Sequence, residues 1–206
     1  MSATRGKSSP TRVENDAYYT PDALALAVLR ALDDRPSGMV VEPSVGGGSW
    51  ARAVRALNPE ARLVGVDIDR RAEGLALCDE AVVGDWQAVG RMVGAGADWI
   101  VGNPPYSDLE RHVRLSLELG TRVVVLVRLG WLAGRRRQDL FVKTPPRQVI
   151  VLTPRPSFVA GGGTDSADYC AIYWSAADVD LRMIAAQSTR ITFLDWRPVA
   201  AAKAAA

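Results

Sequence analysis

The chain has 206 residues, 48% of them hydrophobic, enough to bury one good core and too few for two ordinary domains. A formal net charge of +2 permits a nucleic-acid partner without demanding one, and two distant cysteines with a single histidine exclude a disulfide framework or a shared zinc cluster. No apolar run reaches membrane-spanning length and no secretory segment opens the chain, so a soluble cytoplasmic protein is expected.

Residues 1–15 are rich in Ser, Thr, Arg and Lys with little to bury, and 200–206 are almost all alanine; both read as flexible ends of a single domain over 16–199. Within that domain, helical spacing of apolar residues over 21–32 is followed by a β-branched run at 39–42, a helix over 49–57 and a strand at 62–67. A helix over 70–77, a strand at 81–83, a helix over 87–93, a strand at 99–101 and a helix over 109–119 continue the alternation. Then come a strand at 122–127, a helix over 135–141, and strands at 148–152 and 169–174. This alternation predicts an α/β fold, a mainly parallel sheet with helices on both faces. The run Val123-Val124-Val125-Leu126-Val127 fits a strand buried on both sides, which has no reason to alternate. The last two strands are joined by a segment without helical period that contains Gly161-Gly162-Gly163, so they are expected to pair antiparallel.

The first strand runs into Glu42-Pro43-Ser44-Val45-Gly46-Gly47-Gly48, and a helical pattern begins at once. Glycines at such a turn let a ligand approach the backbone and leave helix N-terminal amides free to meet it. Asp67 closes the next strand about 20 residues later, the separation at which a carboxylate can accept from ribose hydroxyls. An adenosine-type cofactor fits this pair, and a tight structural turn is the alternative for the glycines alone. The loop lacks the Gly-Lys-Ser/Thr ending that holds a nucleoside triphosphate, and its contiguous glycines depart from dinucleotide spacing. After the third strand, Asp85 either accepts from an adenine amino group with Trp86 covering the ring, or caps the following helix.

The fourth strand leads directly into Asn103-Pro104-Pro105-Tyr106. Ligands of open α/β sheets bind beyond the carboxyl ends of the strands, so this loop should share a crevice with the glycines. Two prolines fix the backbone and remove two donors, which leaves carbonyls to accept from a substrate. Asn103 adds a side-chain acceptor and Tyr106 a ring for stacking a planar group. Such parts suit an amino group conjugated with a ring or carbonyl: accepting both of its hydrogens favours a pyramidal nitrogen with an available lone pair.

In motif order, the chain resembles S-adenosylmethionine-dependent amino methyltransferases, most closely small bacterial or phage DNA adenine N6-methyltransferases. The resemblance covers residues 18–174. It implies a Rossmann-like methyltransferase fold with seven strands and a reversed last strand, S-adenosyl-L-methionine as cofactor, and no metal. Tyr18, Tyr19, Thr20 and Pro21 match the upstream cofactor segment; Glu42, Pro43, Gly46 and Gly48 the glycine loop; Asp67 the ribose acid; Asp85, with Trp86, the adenine position. Asn103, Pro104, Pro105 and Tyr106 match the catalytic motif, Asn103 also facing the cofactor. The implied target is an adenine rotated out of duplex DNA, stacked on Tyr106 and held by Asn103 and the Pro104 carbonyl.

Little chain is left for a separate recognition domain. Arg135, Arg136, Arg137 and Lys143, the 155–168 loop and the N-terminal Arg5, Lys7 and Arg12 are the candidates for phosphate and base contact; solvated surface is the alternative for each. His112 reads as an exposed helical histidine rather than a base, and Cys78 and Cys170 as inert. Trp50, Trp99 and Trp131 line the crevice or, as is commoner, belong to the core. RNA or a protein glutamine amide is the alternative acceptor, and a non-catalytic cofactor or nucleic-acid module the alternative class.

Overall fold

The computed structural model describes residues 19–158, 166–176 and 188–197. The elements are α1 (Asp22–Arg30), β1 (Met39–Glu42), α2 (Ser49–Leu57), β2 (Arg62–Asp67), β3 (Glu80–Val83), α3 (Trp86–Val93), β4 (Ala97–Gly102) and α4 (Leu109–Leu119). After these come β5 (Gly120–Arg128), α5 (Gln138–Lys143), β6 (Gln148–Thr153), β7 (Tyr169–Ser175) and β8 (Arg190–Asp195).

The strands form one sheet in the order β3-β2-β1-β4-β5-β7-β6-β8. All neighbours are parallel except at β7, which runs antiparallel to both β5 and β6. The expected antiparallel pairing of the 148–152 and 169–174 segments is therefore present, with Val149 opposite Ile172. Two expectations are corrected. Among the described residues the sheet has eight strands, not seven, and the reversed strand is not the last, because β8 follows it and lies parallel to β6. β8 is an edge strand that leaves Ile191 and Phe193 exposed, so its residues carry no clean buried-face signal.

Two apolar layers flank the sheet, and β5 shows how a continuous apolar run serves both. Val124 and Leu126 belong to the layer with α1 and α2, whereas Val123, Val125 and Val127 belong to the layer with α3, α4 and α5. Each such side chain contributes about 1.5–3 kcal/mol on full burial. The β5–β7 pair is tied to the turn after α1 through Asp34, which accepts from Tyr173 Oη at 2.7 Å and from Arg122 Nε at 3.4 Å. Burial, with Asp34 nearby, pushes the Tyr173 phenol up to about 12, so it stays a donor.

Two helices expected from the sequence are shorter than their apolar spacing suggests. Only Glu73–Leu77 of the 70–77 segment is helical, as a 3-10 turn, because Gly74 is drawn against the glycine loop. The 135–141 segment splits into a 3-10 turn at Arg135–Arg137 and α5. Among the described residues, no helix is long and apolar enough to cross a membrane.

Candidate active site

Strand order reverses between β1 and β4, the point at which a crevice opens beyond the carboxyl ends of a parallel sheet. Val41 pairs with Ile100, so the two strands finish together. The glycine loop after β1 and the Asn103–Tyr106 loop after β4 therefore leave the sheet side by side. A side chain on Gly102 would lie 3.7 Å from Pro43 and 3.8 Å from Glu42, so the two strand ends are in van der Waals reach.

Gly46 and Gly48 adopt φ values of +48° and +81°, a left-handed region that costs glycine little. Gly48 is the N-cap of α2. Asp67, at the end of β2, braces the loop: its Oδ2 accepts from the Gly46 amide at 2.8 Å and its Oδ1 from the Asp69 amide at 2.8 Å. Both oxygens retain lone pairs for a further donor. The Tyr19 ring lies across the loop, 3.3 Å from where a Cβ on Gly46 would sit and 3.1 Å from one on Gly47. Thr20 is buried and its carbonyl accepts from Ser49 Oγ at 2.6 Å, which pins this segment to α2; Pro21 is the N-cap of α1. Tyr18 lies outside the described residues.

Tyr19, Thr20, Glu42, Gly46, Gly48 and Asn103 line one pocket. Glu42 is only 1% exposed, and its Oε2 has no hydrogen-bond partner among the described residues. Burial raises its carboxyl pKa well above 4.5 and the nearby Asp67 charge adds to this, against the Ala51 amide and Arg52. A buried, incompletely satisfied acid beside a second acid makes this pocket hospitable to a cation.

Pro104 is buried, and Asn103, Pro105 and Tyr106 are half-buried. The Tyr106 ring packs near that of Tyr169, with centroids 6.1 Å apart, and Tyr169 in turn meets Phe158 edge-on at 4.8 Å. The Arg128 guanidinium lies 5.2 Å from the Tyr106 centroid.

Comparison with known proteins fits this geometry. A type II methyltransferase, M.CvrRI, of Paramecium bursaria Chlorella virus XZ-6E is 30% identical over 105 residues, an alignment covering 48% of this chain and 26% of that protein. The type I restriction-modification methyltransferase subunit of Streptococcus thermophilus superposes with a TM-score of 0.61 at 11% identity, over 79% of this chain and 46% of that one. The EcoKI M protein of a type I restriction enzyme gives a TM-score of 0.61 at 15% identity, over 79% and 44%. The fold is that of the Rossmann-like methyltransferases. The expected resemblance to S-adenosylmethionine-dependent DNA methyltransferases is thus borne out, although the chain spans only 26% of the first of these proteins and less than half of each of the other two. No protein-family model matches the chain.

On this methyltransferase fold, several residues sit differently from expectation. Trp86, expected over a cofactor ring, is 1% exposed and lies along its own helix, 3.0 Å from where a Cβ on Gly90 would sit and 2.9 Å from one on Gly94. The two glycines leave a slot on α3 that the indole fills, and burial there outweighs a role at the surface. Asp85 is exposed and caps α3, accepting from the Gln87 amide at 3.0 Å. Trp50 is buried and lines the pocket; Trp99 and Trp131 are also buried.

His112 is not exposed: it is 5% accessible, and burial lowers its pKa below 6.5, opposed by Asp108 and Asp85. The three arginines diverge. Arg137 is committed to the fold, with its guanidinium 4.9 Å over the Trp131 ring, its Nε donating to the Trp131 carbonyl at 2.9 Å and an ion pair to Glu110 at 3.8 Å. Arg135, Arg136 and Lys143 are exposed. The link to Glu110 sets this basic segment beside the first turn of α4, just past the Asn103–Tyr106 loop. Arg155 pairs with Asp168 at 2.6 Å across the ends of its loop. Arg5, Lys7, Arg12 and Gly161 to Gly163 lie outside the described residues.

Burial pushes both the Cys78 and Cys170 thiols up to about 12, which leaves them protonated and unreactive. Among the described residues, no cluster of three or more His, Cys, Asp or Glu is placed to hold a metal. Sequence reasoning passed over Gly74, Arg128 and Tyr169. The signal for Arg128 was a lone cation ending an apolar strand; that for Gly74 and Tyr169 appears only in the packing.

Proposed function

We propose that this chain is an S-adenosylmethionine-dependent methyltransferase that methylates the N6 amino group of adenine in DNA. The observation that carries this reading is the presence of Asn103 in the same pocket as Glu42 and the glycine loop. A carboxamide suited to grip an amine therefore adjoins a backbone cradle suited to an adenosine cofactor. The likeness to M.CvrRI supports DNA as the acceptor.

The residues present fit the cofactor. The glycine loop and Asp67 would hold its nucleoside part, Asp85 its adenine, and Tyr19, Thr20 and Glu42 its charged end. The Glu42 Oε2, without a partner among the described residues, meets the need of a cationic group. Bound there, the cofactor supplies a methyl group on a sulfonium, electrophilic enough for direct displacement by a neutral amine. Asn103 Oδ1 and the Pro104 carbonyl accept the two amino hydrogens, so the nitrogen lone pair is drawn out of conjugation with the base. The Tyr106 ring stacks on the base and fixes its plane, which restricts the approach to one direction. Arg135, Arg136 and Lys143 supply non-specific attraction to the phosphates.

Incubation with labelled cofactor and, separately, duplex DNA, single-stranded DNA, RNA and a protein extract tests this reading, with mass spectrometry of the digested products. N6-methyladenine in DNA, lost in Asn103→Ala, is expected. Label in RNA or in glutamine would replace the acceptor, and cofactor binding without any transfer would leave a non-catalytic module.

A further inference from the structure

β5 ends on the side of the sheet where β4 gives way to the Asn103–Tyr106 loop, since the two strands are parallel neighbours. The chain then makes two 3-10 turns, Leu129–Ala133 and Arg135–Arg137, and enters α5. These elements border an open groove of about 440 Å³ whose lining includes Leu132, Arg135, Gln138, Phe141 and Val142. Ligand sites commonly enclose roughly 300–1,000 Å³, so the groove is large enough to receive one.

The residues of this segment divide between anchoring and display. Arg137 is held by Trp131 and Glu110, Asp139 accepts from Arg114 Nη2 at 2.9 Å, and Leu140 is buried. The Phe141 ring meets Trp131 edge-on, with centroids 5.6 Å apart. These contacts fix the backbone. Arg135 and Gln138 stand three residues apart across a 3-10 turn, a spacing that eclipses side chains, and Val142 follows Gln138 by about one α-helical turn. All three line the groove, and all three are exposed. Among the described residues, no ion pair engages Arg135 or Arg136, and the Gln138 carboxamide makes no hydrogen bond.

We propose that this groove receives a base of the DNA beside the target adenine and that Gln138 reads its edge, an inference that rests on the reading of the chain as a DNA methyltransferase. Three features point to a nucleotide. Leu132, Phe141 and Val142 offer apolar surface to a planar ring, which a phosphate alone could not use. The Gln138 carboxamide carries a donor and an acceptor side by side, the pair that matches adenine N7 and N6. Arg135, unpaired on the same face, supplies positive charge for the phosphate that arrives with the base. An apolar peptide would leave that guanidinium without a counterion, and a bare anion would leave the apolar lining exposed. Arg135 thus holds any backbone, and Gln138 discriminates from a seat that the anchoring residues keep rigid.

The test uses the full chain and duplexes in which the methylated adenine has been mapped, with each flanking base pair varied in turn. At one flanking position the parent is expected to prefer adenine, with kcat/KM falling roughly fivefold to a hundredfold for other bases, the loss that one mismatched pair brings. Gln138→Ala should abolish that preference and leave those at other positions as they were. Gln138→Glu, whose ionised carboxylate only accepts, should shift it towards cytosine, which presents an amino donor. Arg136 does not line the groove, so Arg136→Ala should weaken all sequences alike and remove about one phosphate contact from the salt dependence. Gln138 is exposed, and its variants should melt with the parent.

Methylation indifferent to every flanking pair, or a preference that a folded Gln138→Ala keeps, would overturn the proposal, as would a loss in that variant shared equally by all sequences. Failure of the parent to methylate any nucleic acid would remove the underlying reading and this inference together. Methylation of DNA with Gln138→Ala as selective as the parent would remove only the inference.

Discussion

The amide of Gly74 donates to the carbonyl of Gly46 at 2.9 Å, and the Gly74 and Gly48 backbones approach so closely that neither position has room for a side chain. A Cβ on Gly74 would lie 2.7 Å from Gly48 Cα, and one on Gly48 2.8 Å from Gly74 Cα. The turn after β2 therefore sets the shape of the loop after β1. Gly74→Ala is expected to cost about 1–3 kcal/mol of stability, as overpacking does, and to weaken cofactor binding. Thermal melts and calorimetry check this against Gly130→Ala, where no atom lies within 4 Å of the added carbon.

Glu42 makes stability depend on pH. Its native carboxyl binds a proton more tightly than the unfolded one, chiefly through burial. The associated stabilisation is complete below about 4.5, the unfolded value, and is lost as pH rises through the higher native value. Glu42→Gln is expected to be more stable than the parent without ligand at neutral pH, with the advantage vanishing towards pH 4.5. The same change should weaken cofactor binding, since it removes the anion. Melting curves across pH that run parallel for both proteins would refute the assignment.

In the proposed function, Tyr106 is the ring on which the acceptor stacks. Loss of one base–aromatic stack costs about 1–3 kcal/mol, so Tyr106→Ala should raise KM for DNA between roughly fivefold and a hundredfold. Tyr106→Phe should retain most of the affinity. Cofactor binding, measured in parallel, separates this loss from a general effect on the core that Tyr106 also touches.

His112 is held neutral by burial, so its contribution runs the other way. It is fully present above the unfolded value of 6.5 and is lost as pH falls through the lowered native value. His112→Leu should flatten stability over that interval and keep methyl transfer. Abolished transfer in a folded variant would make the imidazole a participant.

Arg137 and its neighbours separate structural from binding charge. Arg137→Ala removes the contacts to Trp131 and Glu110 and should lower the melting temperature. Arg135→Ala and Arg136→Ala should leave it unchanged while weakening DNA binding at low salt.

The strands buried on both faces were legible because a run such as Val123 to Val127 has no place elsewhere in a soluble fold. β8 was not, since its contribution depends on pairing with β6 and its outer residues stay exposed. Tyr19, Thr20, Glu42 and the glycines converge on Asn103 as their motif order suggested, because Glu42, the glycines and Asn103 follow the two strands at the switch point and the Thr20 carbonyl is tied to α2. Trp86 misled: its slot is made by Gly90 and Gly94, one and two turns further along the helix. Arg128 and Tyr169 acquire meaning only from a register between strands that lie far apart in sequence.

The reversal of β7 also decides where this fold can vary. Because β6 runs parallel to β5 and β7 returns, the connection over residues 154–168 leaves and rejoins the sheet on the catalytic side. Its ends are fastened by the Arg155–Asp168 ion pair and by the Leu129 amide, which donates to the Asp168 carbonyl at 2.8 Å. Residues added between those fastenings would leave the register of every strand unchanged. Length can thus be added at this one point of the fold without disturbing the strands around it.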